Sequence, residues 1–181
     1  MARPRTFDQD VVLTAVMHAF RRKGFAATSV RDLEAATGLT SGSLYNSYGD
    51  KRGLFAAASA HYNRSVLARR MWEHAPAEAG LSGLRSLFLS LLQEPDGGAS
   101  GCLITNSAIE FGDSGVPDFV PEGLGVLRET FAARLGNAAA AVELLALYQG
   151  ILVLVRAGYD RRDLEVMIDD VFDSLELRHG R

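Results

Sequence analysis

Cysteine occurs once in these 181 residues, at Cys102, which excludes an intramolecular disulfide framework and any metal site built on paired thiolates. Alternation of apolar and polar residues with period two is scarce, so strands are not expected. There is no Gly-rich phosphate loop, no His-Glu-x-x-His zinc pattern, no internal repeat and no low-complexity tract. Arg3 and Arg5 lie within Met1 to Asp10 with no apolar run behind them, so no secretory signal is expected. Positive charge is also lacking overall: 19 basic against 22 acidic side chains leave a net −3. Taken alone, that figure argues against a nucleic-acid partner. What remains is 48% apolar residues, enough for one or two domains with a real core.

The net charge averages over a strong asymmetry. Residues 1–75 carry 11 basic and 6 acidic side chains, whereas residues 76–181 carry 8 and 16. A +5 module is therefore joined to a −8 module, and both lysines, Lys23 and Lys51, fall in the first. Such a division points to one part that meets a polyanion and another with a different task.

Apolar spacing is helical along almost the whole chain, and the expected class is all-α. Val12, Val16 and Phe20 mark a first helix from about Phe7 to Lys23, stopped by Gly24. Leu54, Ala58, Tyr62 and Val66 mark a long helix from about Asp50 to His74. Leu81, Leu84, Phe88 and Leu91 mark another, and Leu164 to Leu175 the last. Turn residues break the pattern at Pro76, Glu94 to Gly98, Gly112 to Pro117 and Gly136-Asn137. Ala138 to Val155 is 18 residues with Glu143 and Gln149 its strongly polar members. Those two, with Arg156 beyond, favour a buried helix of a soluble protein over a membrane span.

Thr28 to Lys51 carries the most information. Thr28 or Ser29 can cap a short helix whose Val30 and Leu33 face inward. Gly38 stands where the chain must turn sharply, and Leu39 fills the corner. Thr40 caps a second short helix, Ser41 to about Ser47, with Leu44 inward and Tyr48 behind it. Two helices joined by a short Gly-containing turn make a helix-turn-helix. The outward face of the second holds Ser41, Gly42, Ser43, Tyr45, Asn46 and Ser47, small or hydrogen-bonding groups without charge. Such a face fits the major groove, where Asn pairs bidentately with adenine and hydroxyls reach phosphates.

Over residues 7–55 the chain resembles the TetR family of bacterial transcriptional regulators. Thr28, Gly38, Leu44, Tyr45, Tyr48 and Lys51 stand at the family's spacings, with Gly24-Phe25 closing the first helix. The resemblance implies about nine helices: a three-helix DNA-binding domain over 1–50, a connecting helix over 50–74, and a ligand-binding and dimerisation domain over 75–181. It implies phosphate contacts from Thr28, Thr40, Tyr45 and Lys51, and base contacts from Ser41, Ser43 and Asn46. Arg3 and Arg5 look like an arm for an adjacent minor groove. Where many members carry Ala beside the inward residue of the second helix, this chain has Glu34, and Thr37 replaces a second frequent Ala. Either the Glu34 stem bends outward or the helix crossing shifts.

By the same resemblance the protein is a cytoplasmic homodimer without enzymatic activity or cofactor. It would be a repressor released from a near-palindromic double-stranded operator by a small-molecule effector. Two-fold symmetry would set its recognition helices about one DNA turn, ~34–36 Å, apart. The apolar stretches near Val126 to Leu135, Val142 to Val155 and Leu164 to Leu175 agree with subunit pairing. Effector-site candidates are Trp72, Phe88, Leu92, Cys102, Asn106, Glu110, Phe111, Leu127, Phe131, Tyr148 and Ile151, taken as inward residues of the middle helices. Asn106 and Glu110, four apart, form the polar pair among them. Two other readings stay open. Cys102, opening a helix, is a candidate redox or electrophile sensor. Outside regulation, the chain could be a helical interaction protein, or an enzyme pairing Cys102 with His18, His61, His74 or His179.

Overall fold

The computed structural model describes residues 7–94, 98–112 and 115–179, and every regular element in them is helical. The order is α1 (Gln9–Ala27), α2 (Val30–Thr37), α3 (Ser41–Tyr48), α4 (Lys51–His61), a π-helical turn (Tyr62–Leu67) and α5 (Ala68–His74). It continues with α6 (Gly80–Ser90), α7 (Leu103–Phe111), α8 (Phe119–Leu135), α9 (Ala138–Arg156) and α10 (Arg161–His179). Because α4, the π turn and α5 follow without a break, the described residues hold nine separate helical segments. Arg3 and Arg5 lie outside the described residues.

Packing divides the chain into two compact units, each made of two stretches. One comprises Met1–Val66 with Cys102–Pro121, the other Leu67–Gly101 with Glu122–Arg181. The cut thus falls inside the π turn, and α7 belongs with the N-terminal helices.

In the first unit α1 packs on α2, α4 and α7. Val12, Val16 and Phe20, spaced four apart, form its buried stripe. Gly24 interrupts α1 with φ 81° and ψ 173°, a backbone closed to side chains with a Cβ, and one further turn follows. Beyond that break Phe25 joins a cluster with Phe20, Phe55 and Phe111. Its ring lies 6.1, 5.0 and 5.5 Å from theirs, and Phe119 meets Phe55 at 5.5 Å.

The second unit is built on another aromatic centre. Phe88 of α6 lies 5.7 Å from Phe131 of α8, 5.3 Å from Tyr148 of α9 and 5.2 Å from Phe172 of α10. One side chain thereby ties four helices together. At the rim, Arg85 donates from Nε to Asp169 at 2.9 Å and from Nη1 to Asp173 at 2.8 Å, clamping α6 to α10. These two carboxylates raise the Arg85 pKa above its ordinary value, the Asp169 hydrogen bond first. Arg134 donates to the carbonyls of Ala75 and Pro76, just past the end of α5. By contrast α9, apolar on most sides, has only 39% of its apolar stretch buried. Val142 and Val153 are exposed along it, as is Val166 on α10.

Candidate nucleic-acid interface

The helix-turn-helix forms because each end is closed locally. Ser29 caps α2: its hydroxyl accepts from Asp32 N, while its own N–H donates to the Asp32 carboxylate at 2.8 Å. Lys23 adds an ion pair to Asp32 at 2.6 Å. Gly38 ends α2 in the left-handed conformation, φ 68°, and donates to Glu34 O at 2.8 Å. Thr40 caps α3 by accepting from Ser43 N at 3.3 Å, and Asp50 caps α4 by accepting from Gly53 N at 2.8 Å. Leu33 and Leu44 are fully buried beneath the two helices.

This leaves the expected reading face outward. Thr40, Ser43 and Asn46 are exposed, and Ser41 and Tyr45 are half-buried. Lys51 is also half-buried; its Nζ donates to Ala26 O at 3.4 Å and sits 4.7 Å from the centre of the Phe25 ring. Thr28, expected by resemblance as a phosphate contact, is placed differently from the others. Its side chain is fully buried and donates to Gly24 O at 2.6 Å, because the break at Gly24 leaves that carbonyl without a helical partner.

Two carboxylates in this region titrate low. The Lys23 ammonium, then the Ser29 hydroxyl and N–H, hold Asp32 far below its ordinary 3.8. The Ser41 N–H, the Ser41 hydroxyl and the Arg31 charge hold Glu34 below 4.5. Both values are depressed on folding, so their contribution is complete above the ordinary carboxylate range and is lost as pH falls through the folded values. The amide signals of Ser29 and Ser41 should accordingly titrate with midpoints below the ordinary carboxylate values. A midpoint at the ordinary carboxylate value would contradict these contacts.

The effector candidates separate between the two units. Cys102, Asn106, Glu110 and Phe111 belong to the first; Trp72, Phe88, Leu92, Leu127, Phe131, Tyr148 and Ile151 belong to the second. Trp72, expected inward, is 76% exposed on α5, since Met71 beside it takes the buried position. Phe88, Leu92, Leu127, Phe131, Tyr148 and Ile151 are buried. Asn106 and Glu110 do share a face of α7, and that face serves α1. Asn106 donates to Arg21 O at 3.1 Å, and the Glu110 carboxylate accepts from Phe25 N and Ala26 N, both at 2.7 Å. Cys102 is buried with Sγ 3.3 Å from Tyr62 Oη. Two grooves in the second unit lie away from these residues: about 300 Å³ beside His74, Ser82, Arg85 and Ser86, and about 380 Å³ along α10 from Asp163 to Arg178.

Residues 12–58, from α1 through α4, match the profile of the family described as "Bacterial regulatory proteins, tetR family". The chain is 35% identical over 117 residues to the uncharacterized HTH-type transcriptional regulator YezE of Bacillus subtilis, covering 61% of this chain and 58% of that one. It is 31% identical over 117 residues to the HTH-type transcriptional repressor ComR of Escherichia coli, covering 62% and 56%. Among solved structures it superposes with TM-score 0.73 on a cysteine mutant of the TetR family transcriptional regulator CifR, complexed with operator DNA. That match is 25% identical and covers 94% of this chain and 98% of the other. Over residues 12–58 the chain thus carries a TetR-type helix-turn-helix segment. Its matches span somewhat more than half the length of the curated relatives.

Against the TetR pattern, the two departures are explained by their partners. Glu34 turns toward α3: its Oε1 accepts from Ser41 N at 2.7 Å, at the first residue of that helix. Thr37 donates to Leu33 O at 2.7 Å and accepts from Leu39 N at 3.2 Å, inside the turn. Sequence reasoning missed both as positioning groups, and missed the Glu110 contact as well. For Glu110 the available signal was Gly24, since a break in α1 frees N–H groups that need an acceptor.

Proposed function

We propose that this chain is a homodimeric, DNA-binding transcriptional regulator of the TetR family, a cytoplasmic repressor that a small-molecule effector releases from its operator. The observation that carries this reading is the uncharged, exposed face of α3, with Ser43 and Asn46 outermost, on a helix capped at Thr40. A short helix with small residues along its outer side enters the major groove and reads base edges there. Lys51 and Tyr45 flank that face at the level of the DNA backbone. The TetR-type segment supports the reading, as does a relative described as a repressor and another bound to operator DNA.

Residues 1–50 would serve as the reader, and residues 75–181 would hold the effector and the subunit interface. The exposed apolar residues of α9 and α10, Val142, Val153 and Val166, favour a second copy as their cover. An effector acts by binding better to a conformation whose recognition helices no longer fit the operator, shifting the population away from DNA.

The test is a gel shift on random-sequence DNA at low and moderate salt. Wild type should bind and weaken steeply as salt rises. Lys51→Ala should weaken binding to all sequences and reduce the salt slope by about one. Tyr45→Phe should also weaken binding uniformly, whereas Asn46→Ala should relax the preference at particular base pairs by roughly 1–3 kcal/mol. No salt-sensitive binding by wild type would favour the interaction-protein reading instead.

A further inference from the structure

The first turn of a recognition helix offers main-chain N–H groups to phosphate, and the helix dipole adds to their pull. In α3 that turn comprises Ser41, Gly42 and Ser43. The Ser43 N–H donates to Thr40 Oγ1 and the Ser41 N–H to Glu34 Oε1. Among the described residues only the Gly42 N–H of the three lacks an acceptor, and a carboxylate stands beside it. Glu34 also fixes geometry: one charged hydrogen bond from the middle of α2 sets the position of the first residue of α3.

We propose that Glu34 is a specificity-determining residue that suppresses sequence-independent phosphate binding at the start of α3 and holds that helix in its reading position. The inference rests on the regulator reading above. Nonspecific affinity is almost wholly phosphate contact, so a negative charge beside the one open N–H weakens it directly. Binding to the operator draws in addition on base contacts from Asn46 and Ser43, which need α3 held at a fixed angle to α2. Selectivity is the difference between the two, and one carboxylate acts on both sides of it. The depressed Glu34 pKa keeps this charge in place at neutral pH.

Two variants separate the charge from the hydrogen bond. Glu34→Gln keeps an acceptor for the Ser41 N–H and removes the charge; Glu34→Ala removes both. Each is titrated, beside wild type, against a random-sequence duplex and a duplex that wild type selects from a random pool. Glu34→Gln should melt like wild type and bind the random duplex on the order of fivefold tighter, with a salt slope steeper by about one. Glu34→Ala should gain at least as much on the random duplex and bind the selected duplex less tightly, so the ratio of the two falls by about tenfold or more. Wild-type affinity and slope on the random duplex in both variants would overturn the role of Glu34 while leaving the regulator reading intact. Absence of wild-type binding to either duplex would instead overturn the regulator reading, and this inference with it.

Discussion

Replacing Phe88 by alanine should destabilise the second unit by about 3–5 kcal/mol, a large share of the ~5–15 kcal/mol that holds a typical domain together. Phe88 has no solvent exposure, and its ring touches Phe131, Tyr148 and Phe172, each on a different helix. Truncation removes the transfer free energy of the ring and leaves a cavity that three other aromatic rings cannot fill without leaving their own positions. The three edge and tilted contacts are lost as well, each a fraction of a kcal/mol to about 1.5 kcal/mol. Urea unfolding followed by tryptophan fluorescence measures the change. Phe88→Leu should retain most of the volume and lose roughly half as much. A Phe88→Ala protein with the wild-type midpoint would mean that the four helices do not depend on this centre.

Gly24→Ala should cost roughly 2–4 kcal/mol in the first unit and weaken DNA binding with it. The backbone at φ 81° and ψ 173° is open to glycine and strained for any residue with a Cβ. A methyl group there would also lie 2.8 Å from Glu110 Oε2. The carboxylate can retreat only by releasing the N–H groups of Phe25 and Ala26, which it accepts at 2.7 Å each. Those two residues lead into Thr28 and the cap of α2, so the disturbance reaches the helix-turn-helix by a few bonds of chain. Glu110→Gln, which keeps one acceptor oxygen and substitutes a donor for the other, should show the smaller loss. A Gly24→Ala protein that melts and binds like wild type would contradict both the strain and the Glu110 contact.

What could be read from the sequence divides by the range of the interaction. Ser29, Gly38 and Thr40 were legible as cap, turn and cap because each acts within a few residues, where spacing alone fixes the geometry. Leu33 and Leu44 were legible as inward residues for the same reason. Phe88, Phe131 and Tyr148 were legible as inward, although periodicity does not say which rings meet. Thr28 escaped because its hydroxyl answers a carbonyl exposed by a helix break whose backbone angles the sequence does not give. Asn106 and Glu110 were legible as a pair on one face of α7. Their partners lie 85 and 84 or 85 positions away, a distance no local pattern spans. Trp72 was misplaced because an apolar pair, Met71 and Trp72, has one buried position to share. Of the N-terminal cations, Lys23 pairs with Asp32, Arg69 with Glu73 and Arg70 with Glu94, while Lys51 opens α4 just past the reading helix.

The measurement closest to the central claim is selection of bound sequences from a pool of random double-stranded DNA by the purified full chain. A dimer presenting two copies of α3 should enrich a near-palindrome whose half-sites are centred about one helical turn, ~34–36 Å, apart. A pool left unenriched after selection would contradict it.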